Sequence, residues 1–145
     1  MKKEINLDMD GTFVNFYGVD NWLADLESEN TRPYRVAKPL VNMNTLAKQI
    51  HKLQATGYEV NIISWTSKSG SADYNAKVAD EKKKWLRRHL RSVQFNNIHI
   101  LPYGTPKENY GSGILFDDEE LNRRNWKGIA YDETDILGIM KTLEV

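Results

Sequence analysis

The sequence contains no cysteine, which excludes disulfides, thiolate nucleophiles and cysteine-ligated zinc. It also lacks net charge: 20 basic side chains balance 20 acidic ones, so no global field draws the chain toward nucleic acid or an anionic membrane. No apolar run approaches the roughly 20 residues that span a bilayer. The opening "MKKEINLDMD" has no apolar stretch of signal-peptide length, so the expected place is the cytoplasm, with no membrane partner. His51, His89 and His99 are scattered without metal-ligand spacing. There is no internal repeat and no low-complexity tract. What remains is 145 residues, 40% of them hydrophobic, which fits a single domain over 1–145 with a full core.

Apolar periodicity predicts an alternation of strands and helices. Strands are expected over 4–8, over "YEVNIISWT", at "NIHIL", at "ILF" and at "KGIAY". A helix over 40–56 follows from Met43, Leu46, Ile50 and Leu53 at spacings of three and four, with Gly57 as its stop. A longer helix follows "SKSGS", with Val78, Trp85, Leu86 and Leu90 inward, and a closing helix is expected over 134–143. The run "DDEELNRRN" reads as a turn or short helix. Between the first strand and the 40–56 helix lies an irregular, aromatic-rich insertion, 12–38, with one short helix at 20–29 capped by Asp20. "TRPYRVAKP" reads as loop, with two prolines and three basic side chains. Such alternation predicts an α/β fold: a Rossmann-like doubly wound parallel sheet with helices on both faces.

In sheets of this kind ligands gather at the carboxyl ends of the strands. The polar residues of interest stand where the apolar runs stop. The first strand ends in Asp8 and Asp10, the second in Ser64, Thr66 and Ser67, and the fourth in Asp117 and Asp118, with Lys107 in the loop before it. Carboxylates at one sheet edge hold a hard cation through oxygen, and Mg²⁺ is the usual one. An aspartate that attacks a phosphate meets like-charge repulsion, which a cation and a lysine offset. A carboxylate is an established nucleophile in aspartyl-phosphate chemistry, and a second one past the strand end is placed to give and take a proton. Gly11 permits a sharp turn that leaves backbone amides free for the phosphate.

The motifs "INLDMDGT", "IISWTS", "TPK" and "ILFDD", in that order, resemble those of the haloacid dehalogenase (HAD) superfamily of aspartyl-phosphate phosphatases. The resemblance implies a sheet of strand order 5-4-1-2-3. It implies Asp8 as nucleophile and metal ligand, and Asp10 as general acid and base that also binds the metal through its backbone carbonyl. Thr66, with Ser67 and Gly11, would hold phosphate, and Lys107 would neutralise it. Asp117 and Asp118 would complete the Mg²⁺ site, one of them directly. Ser64 competes with Thr66, and Lys82 of the long helix competes with Lys107. The region from "WTSKSGSADYN" to "ILFDD" is most similar to the 5′(3′)-deoxyribonucleotidase branch, but 12–38 leaves room only for a minimal cap.

The implied function is a Mg²⁺-dependent phosphomonoester hydrolase working through a phospho-aspartate. Its partner would be a small phosphorylated substrate, a nucleotide or a phosphorylated nucleic-acid end among them; other nucleic-acid binding is not expected, and an oligomer is left open. Two other functions fit parts of the pattern: a phospho-accepting receiver-like signalling domain, and a catalytically silent protein of the same fold. Blander roles exist for single residues. Asp117 and Asp118 could cap a helix. The aromatics Phe13, Phe16, Tyr17, Trp22 and Tyr34 could form either a stacking wall or a small core. Arg32, Arg35, Lys38 and the basic run "EKKKWLRRHL" read as solvated surface.

Overall fold

The computed structural model describes residues 3–132 and 135–144. Its centre is a five-stranded parallel sheet. The short strand β1 (Glu4–Leu7) is buried along its whole length. It pairs with β4 (Glu59–Trp65) on one side and β6 (Ile114–Phe116) on the other, while β5 (Asn97–Leu101) and β7 (Ile129–Tyr131) form the edges. A separate antiparallel ribbon joins β2 (Val14–Asn15) to β3 (Lys38–Pro39). The main sheet therefore runs β5-β4-β1-β6-β7. This differs in chain numbering from the expected 5-4-1-2-3, because the ribbon adds two strands between the first and second strands of the main sheet. Counted among the five sheet strands alone, the order is 3-2-1-4-5.

Strand register explains the core. Ile5 stands beside Val60 and Ile114, and Leu7 beside Ile62 and Phe116, so one face is continuously apolar. Helix α3 (Met43–Ala55) brings Leu46, Ile50 and Leu53 to it. Helix α4 (Ala72–His89) adds Trp85 and Leu86, and α6 (Ile136–Thr142) adds Ile136 and Met140. Both long helices start on capping side chains: Asn42 accepts from the Thr45 N–H and Ser71 from the Tyr74 N–H. Within the closing helix expected over 134–143, Thr134 lies outside the described residues. No helix among the described residues is long and apolar enough to cross a membrane.

The opposite face departs from the expected helical cover. It is closed by segment 102–113, with its 3-10 turn Lys107–Asn109, and by α5 (Glu120–Asn125), whose following Trp126 packs on Ile63 and Leu115. Here register aligns Asn6, Asn61 and Asn97 across three strands. Asn97 Nδ2 donates to Asn61 Oδ1 at 3.0 Å, Asn61 Nδ2 to Asn6 Oδ1 at 3.0 Å, and Asn6 Nδ2 to the Ser112 carbonyl at 2.7 Å. The ladder satisfies buried amides that would otherwise cost about 1–3 kcal/mol each.

The insertion 12–38 is more ordered than its sequence predicts. The expected loop "TRPYRVAKP" holds helix α2 (Arg32–Val36), started by Pro33 in its first turn, and then β3. The helix expected at 20–29 is α1 (Trp22–Glu27). Its N-cap position is Asn21, in a left-handed conformation at φ 64°, and not Asp20. Five hydrogen bonds pin the insertion to α4 or the residue before it, two of them from Ser71, whose hydroxyl donates to Glu29 at 2.9 Å. The Glu29 carboxylate accepts from the Ser71 N–H at 2.7 Å, and the Tyr74 hydroxyl donates to the Asn30 carbonyl at 3.0 Å. Trp85 Nε1 donates to the Ala37 carbonyl at 2.8 Å, and Arg88 to that of Arg35 at 2.7 Å. Phe16 and Tyr34 also bury against Tyr74 and Val78. The insertion is a fixed side wall.

Candidate active site

The chain leaves β1 at Asp8 and turns tightly over 9–14. The N–H groups of Thr12, Phe13 and Val14 all donate to the Met9 carbonyl, and that of Gly11 to the Val14 carbonyl. This corrects one expectation: the amides of Gly11 and Thr12 close the turn and are not free for a phosphate. Gly11 is required for a different reason. Its φ is +82°, and a Cβ there would collide with the Asp118 carboxylate. The glycine lets the acidic pair after β6 approach the end of β1.

That approach gathers Asp8, Asp117 and Asp118, each offering an oxygen, with all three within 4.8 Å of one another. Lys107 neutralises part of the cluster. Its Nζ donates to Asp8 Oδ1 at 3.0 Å and to Asp117 Oδ2 at 2.6 Å, and it is 2% exposed. Burial alone would pull Lys107 down, but the Asp8 and Asp117 carboxylates outweigh it and hold its ammonium charged well above the ordinary range. One cation does not balance three carboxyls. Burial, and then the neighbouring charge of Asp8, push Asp117 up to about 6 and Asp118 up to about 8. A divalent cation would relieve this repulsion, and three hard oxygen donors suit one. The two members of the acidic pair differ in free valence. Asp117 Oδ1 accepts from the Glu119 N–H at 2.9 Å, and its Oδ2 accepts from Asn122 at 3.1 Å as well as from Lys107. Asp118 offers an oxygen beside that of Asp8, and its side chain accepts from none of these donors.

Asp10 does not join that cluster with its side chain. Its Oδ2 pairs with Lys82 at 2.9 Å. Burial raises the Asp10 carboxyl above its usual value despite the opposing pull of Lys82, and Asp8 adds to the rise. Lys82 also donates to Ser64 Oγ and to the Trp65 carbonyl, each at 2.7 Å. The two candidate lysines thus divide the acids between them, Lys107 taking Asp8 and Lys82 taking Asp10. The two candidate hydroxyls separate in the same way. Both are buried and both line the cleft, but Ser64 Oγ accepts from Lys82 whereas the Thr66 hydroxyl bonds to no described side chain or backbone group. Ser67 lines the cleft too, but its N–H and hydroxyl both donate to Asn75 Oδ1, at 3.1 and 2.6 Å.

Above the acids opens a cleft of about 430 Å³. One wall comes from the insertion: Tyr17 and Trp22, edge to face at 5.1 Å, with Leu23 and Leu26. The other comes from Trp65 and Tyr103, 4.9 Å apart. Of the insertion's aromatics, Phe16 and Tyr34 are buried in a small core and also line the cleft, and Tyr17 is half exposed at its rim.

Several contributors had no role read from the sequence, although Thr12 and Trp65 stand inside the quoted motifs. Thr12 donates to Asp8 Oδ2 at 3.2 Å, and Asn122 steadies Asp117. Trp65 donates to the Thr105 carbonyl at 2.9 Å, and its ring lies 5.2 Å from Lys107 Nζ, which fixes the loop that delivers that lysine. Thr12 and Trp65 carried a signal as members of "INLDMDGT" and "IISWTS", and Asn122 as a polar residue on the inward side of the short helix after the acidic pair. No protein-family model matches the chain, and no curated protein sequence matches it.

Proposed function

We propose that this chain is a Mg²⁺-dependent phosphomonoester hydrolase of haloacid dehalogenase type, working through a phospho-aspartate on Asp8 with a minimal cap. The observation that carries the reading is the division of labour at the strand ends. Asp8 is held by Lys107 beside Asp117 and Asp118, while Asp10 stands apart on a lysine of its own. An acid near the metal and an acid away from it are what a nucleophile and a proton carrier require.

Asp8 and Asp118 would hold the ion directly, since the oxygens of Asp117 are already engaged by Lys107, Asn122 and the Glu119 N–H. Mg²⁺ supplies positive charge against the phosphate oxygens when bound. A carboxylate oxygen of Asp8 then attacks phosphorus. The bond to the ester oxygen breaks, its electron pair stays on that oxygen, and a proton from Asp10 completes the alcohol. In the second half, Asp10 takes a proton from water as the water oxygen bonds to phosphorus. The phosphorus–Asp8 bond breaks and inorganic phosphate leaves. Thr66 and Lys107 orient and neutralise the phosphoryl oxygens.

The paired aromatic walls favour a flat group on the ester oxygen, such as the base of a nucleotide or of a phosphorylated nucleic-acid end. The protein is proposed to act in the cytoplasm on a small phosphorylated substrate. A screen of nucleotides, sugar phosphates and phosphorylated DNA ends with Mg²⁺, using Asp8→Asn as control, tests the proposal. Catalytic release of phosphate that the control lacks is expected. Single-turnover labelling without release would mark a receiver-like domain, and neither release nor labelling would mark a silent one.

A further inference from the structure

Resting on the hydrolase reading, we propose that Lys82 is a positioning residue for the proton carrier: it holds one oxygen of Asp10 so that the other faces the departing oxygen of the substrate. Three acceptors converge on its Nζ, namely Asp10 Oδ2 at 2.9 Å, Ser64 Oγ at 2.7 Å and the Trp65 carbonyl at 2.7 Å. These use all three ammonium protons. The side chain is 2% exposed, and Nζ lies 5.5 Å from the centre of the Tyr34 ring. Desolvating a lysine this fully is costly unless each proton is accepted.

The consequence falls on Asp10. Its Oδ2 is committed to Lys82, while its Oδ1 bonds to no described residue and the side chain is 18% exposed at the floor of the cleft. Lys82 rises from the middle of α4 and grips the end of β4 through Ser64 and Trp65, so it joins Asp10 to the rigid sheet and not to the turn that carries it. Without that grip the Asp10 carboxylate is free to rotate, and its Oδ1 no longer keeps a set direction toward the departing oxygen. Lys82 bonds to none of Asp8, Asp117 and Asp118, so among the acids of the site it acts on Asp10 alone.

The test separates esters by how much their departing oxygen needs a proton. 4-Nitrophenolate leaves unprotonated and an alkoxide does not. With Lys82→Gln, kcat/KM, which covers only the steps up to departure of the alcohol, should fall about 100-fold on an alkyl phosphate but less than about tenfold on 4-nitrophenyl phosphate, the gap being the share of a positioned general acid. Mg²⁺ affinity, measured by calorimetry, should stay within about twofold of wild type, since no metal-side carboxylate loses a partner. Adding Lys82→Gln to Asp10→Asn should cost little beyond Asp10→Asn alone. Should Lys82→Gln fail to give a cooperative melt, Ser64→Ala removes one of the three acceptors and should show the same split between esters at smaller size. Equal losses on both esters, or additive losses in the double variant, overturn the role of Lys82 while leaving the hydrolase reading intact. A wild-type protein that hydrolyses neither ester overturns both.

Discussion

The ammonium of Lys107 lies 2.6 Å from the carboxylate of Asp117, ten positions along the chain, and both side chains are almost wholly buried. The same ammonium meets Asp8 from the central strand, so one cation joins the ends of β1 and β6. Removing it would strand the acids. Lys107→Met should destabilise the metal-free protein by about 3–5 kcal/mol, the usual cost of breaking a buried pair from one side. Thermal melts with and without Mg²⁺ check this: added Mg²⁺ should recover part of the loss, and turnover should stay low.

Asp8→Asn removes the nucleophile and one of three crowded carboxylates. Turnover should fall to background, with phosphate release as the measure. The metal-free variant should melt at or above the wild-type temperature, since like-charge repulsion is relieved. Near-normal turnover would exclude Asp8 as the attacking group.

Stability of the metal-free protein should depend on pH in a particular direction. Asp117 and Asp118 are pushed up to about 6 and about 8. A carboxyl raised on folding keeps a proton that the unfolded chain releases near pH 4. Its contribution is therefore complete below that pH and is lost as pH rises through 6 to 8. Denaturant midpoints should decline over this window without metal, and saturating Mg²⁺ should flatten the decline by stabilising the ionised cluster. A rise over the same window in the chelated protein would contradict the crowding of these acids.

Thr66 and Ser64 predict opposite phenotypes. Thr66→Ala should lower turnover and leave the melting temperature nearly unchanged, because its hydroxyl bonds to no described residue. Ser64→Ala takes an acceptor from Lys82 and should cost about 1–2 kcal/mol of stability, with the smaller loss of turnover. Paired kinetics and calorimetric melts on the two variants decide the matter.

Gly11→Ala tests the approach of the acidic pair to the turn. The new methyl group would collide with the Asp118 carboxylate at a backbone angle that alanine resists. Mg²⁺ affinity should weaken about tenfold or more, read by calorimetry, with circular dichroism showing the fold retained.

The strand ends were readable because buried apolar runs stop abruptly there: Asp8, Thr66 and Asp117 each mark an edge that a hydrophobicity pattern can find. Lys107 was readable from its place before "ILF". Lys82 was readable as the candidate lysine of the long helix, one turn from Val78 and Leu86, but its pairing with Asp10 was not, because that contact is made only by three-dimensional packing. The asparagine ladder was hidden for a related reason. Asn6, Asn61 and Asn97 are 55 and 36 positions apart and meet only through strand register. Helix α2 was concealed by its own starting proline and its basic residues, and its order comes from α4, not from local propensity.

The ribbon pairing Val14 with Pro39 brings the two ends of the insertion side by side. The chain thus departs from and returns to nearly the same point, and the sheet beneath does not register how long the excursion was. The segment between them behaves as an interchangeable part: a longer or differently contoured stretch spliced at this doorway would alter which molecules reach the acids without asking the catalytic floor to be rebuilt.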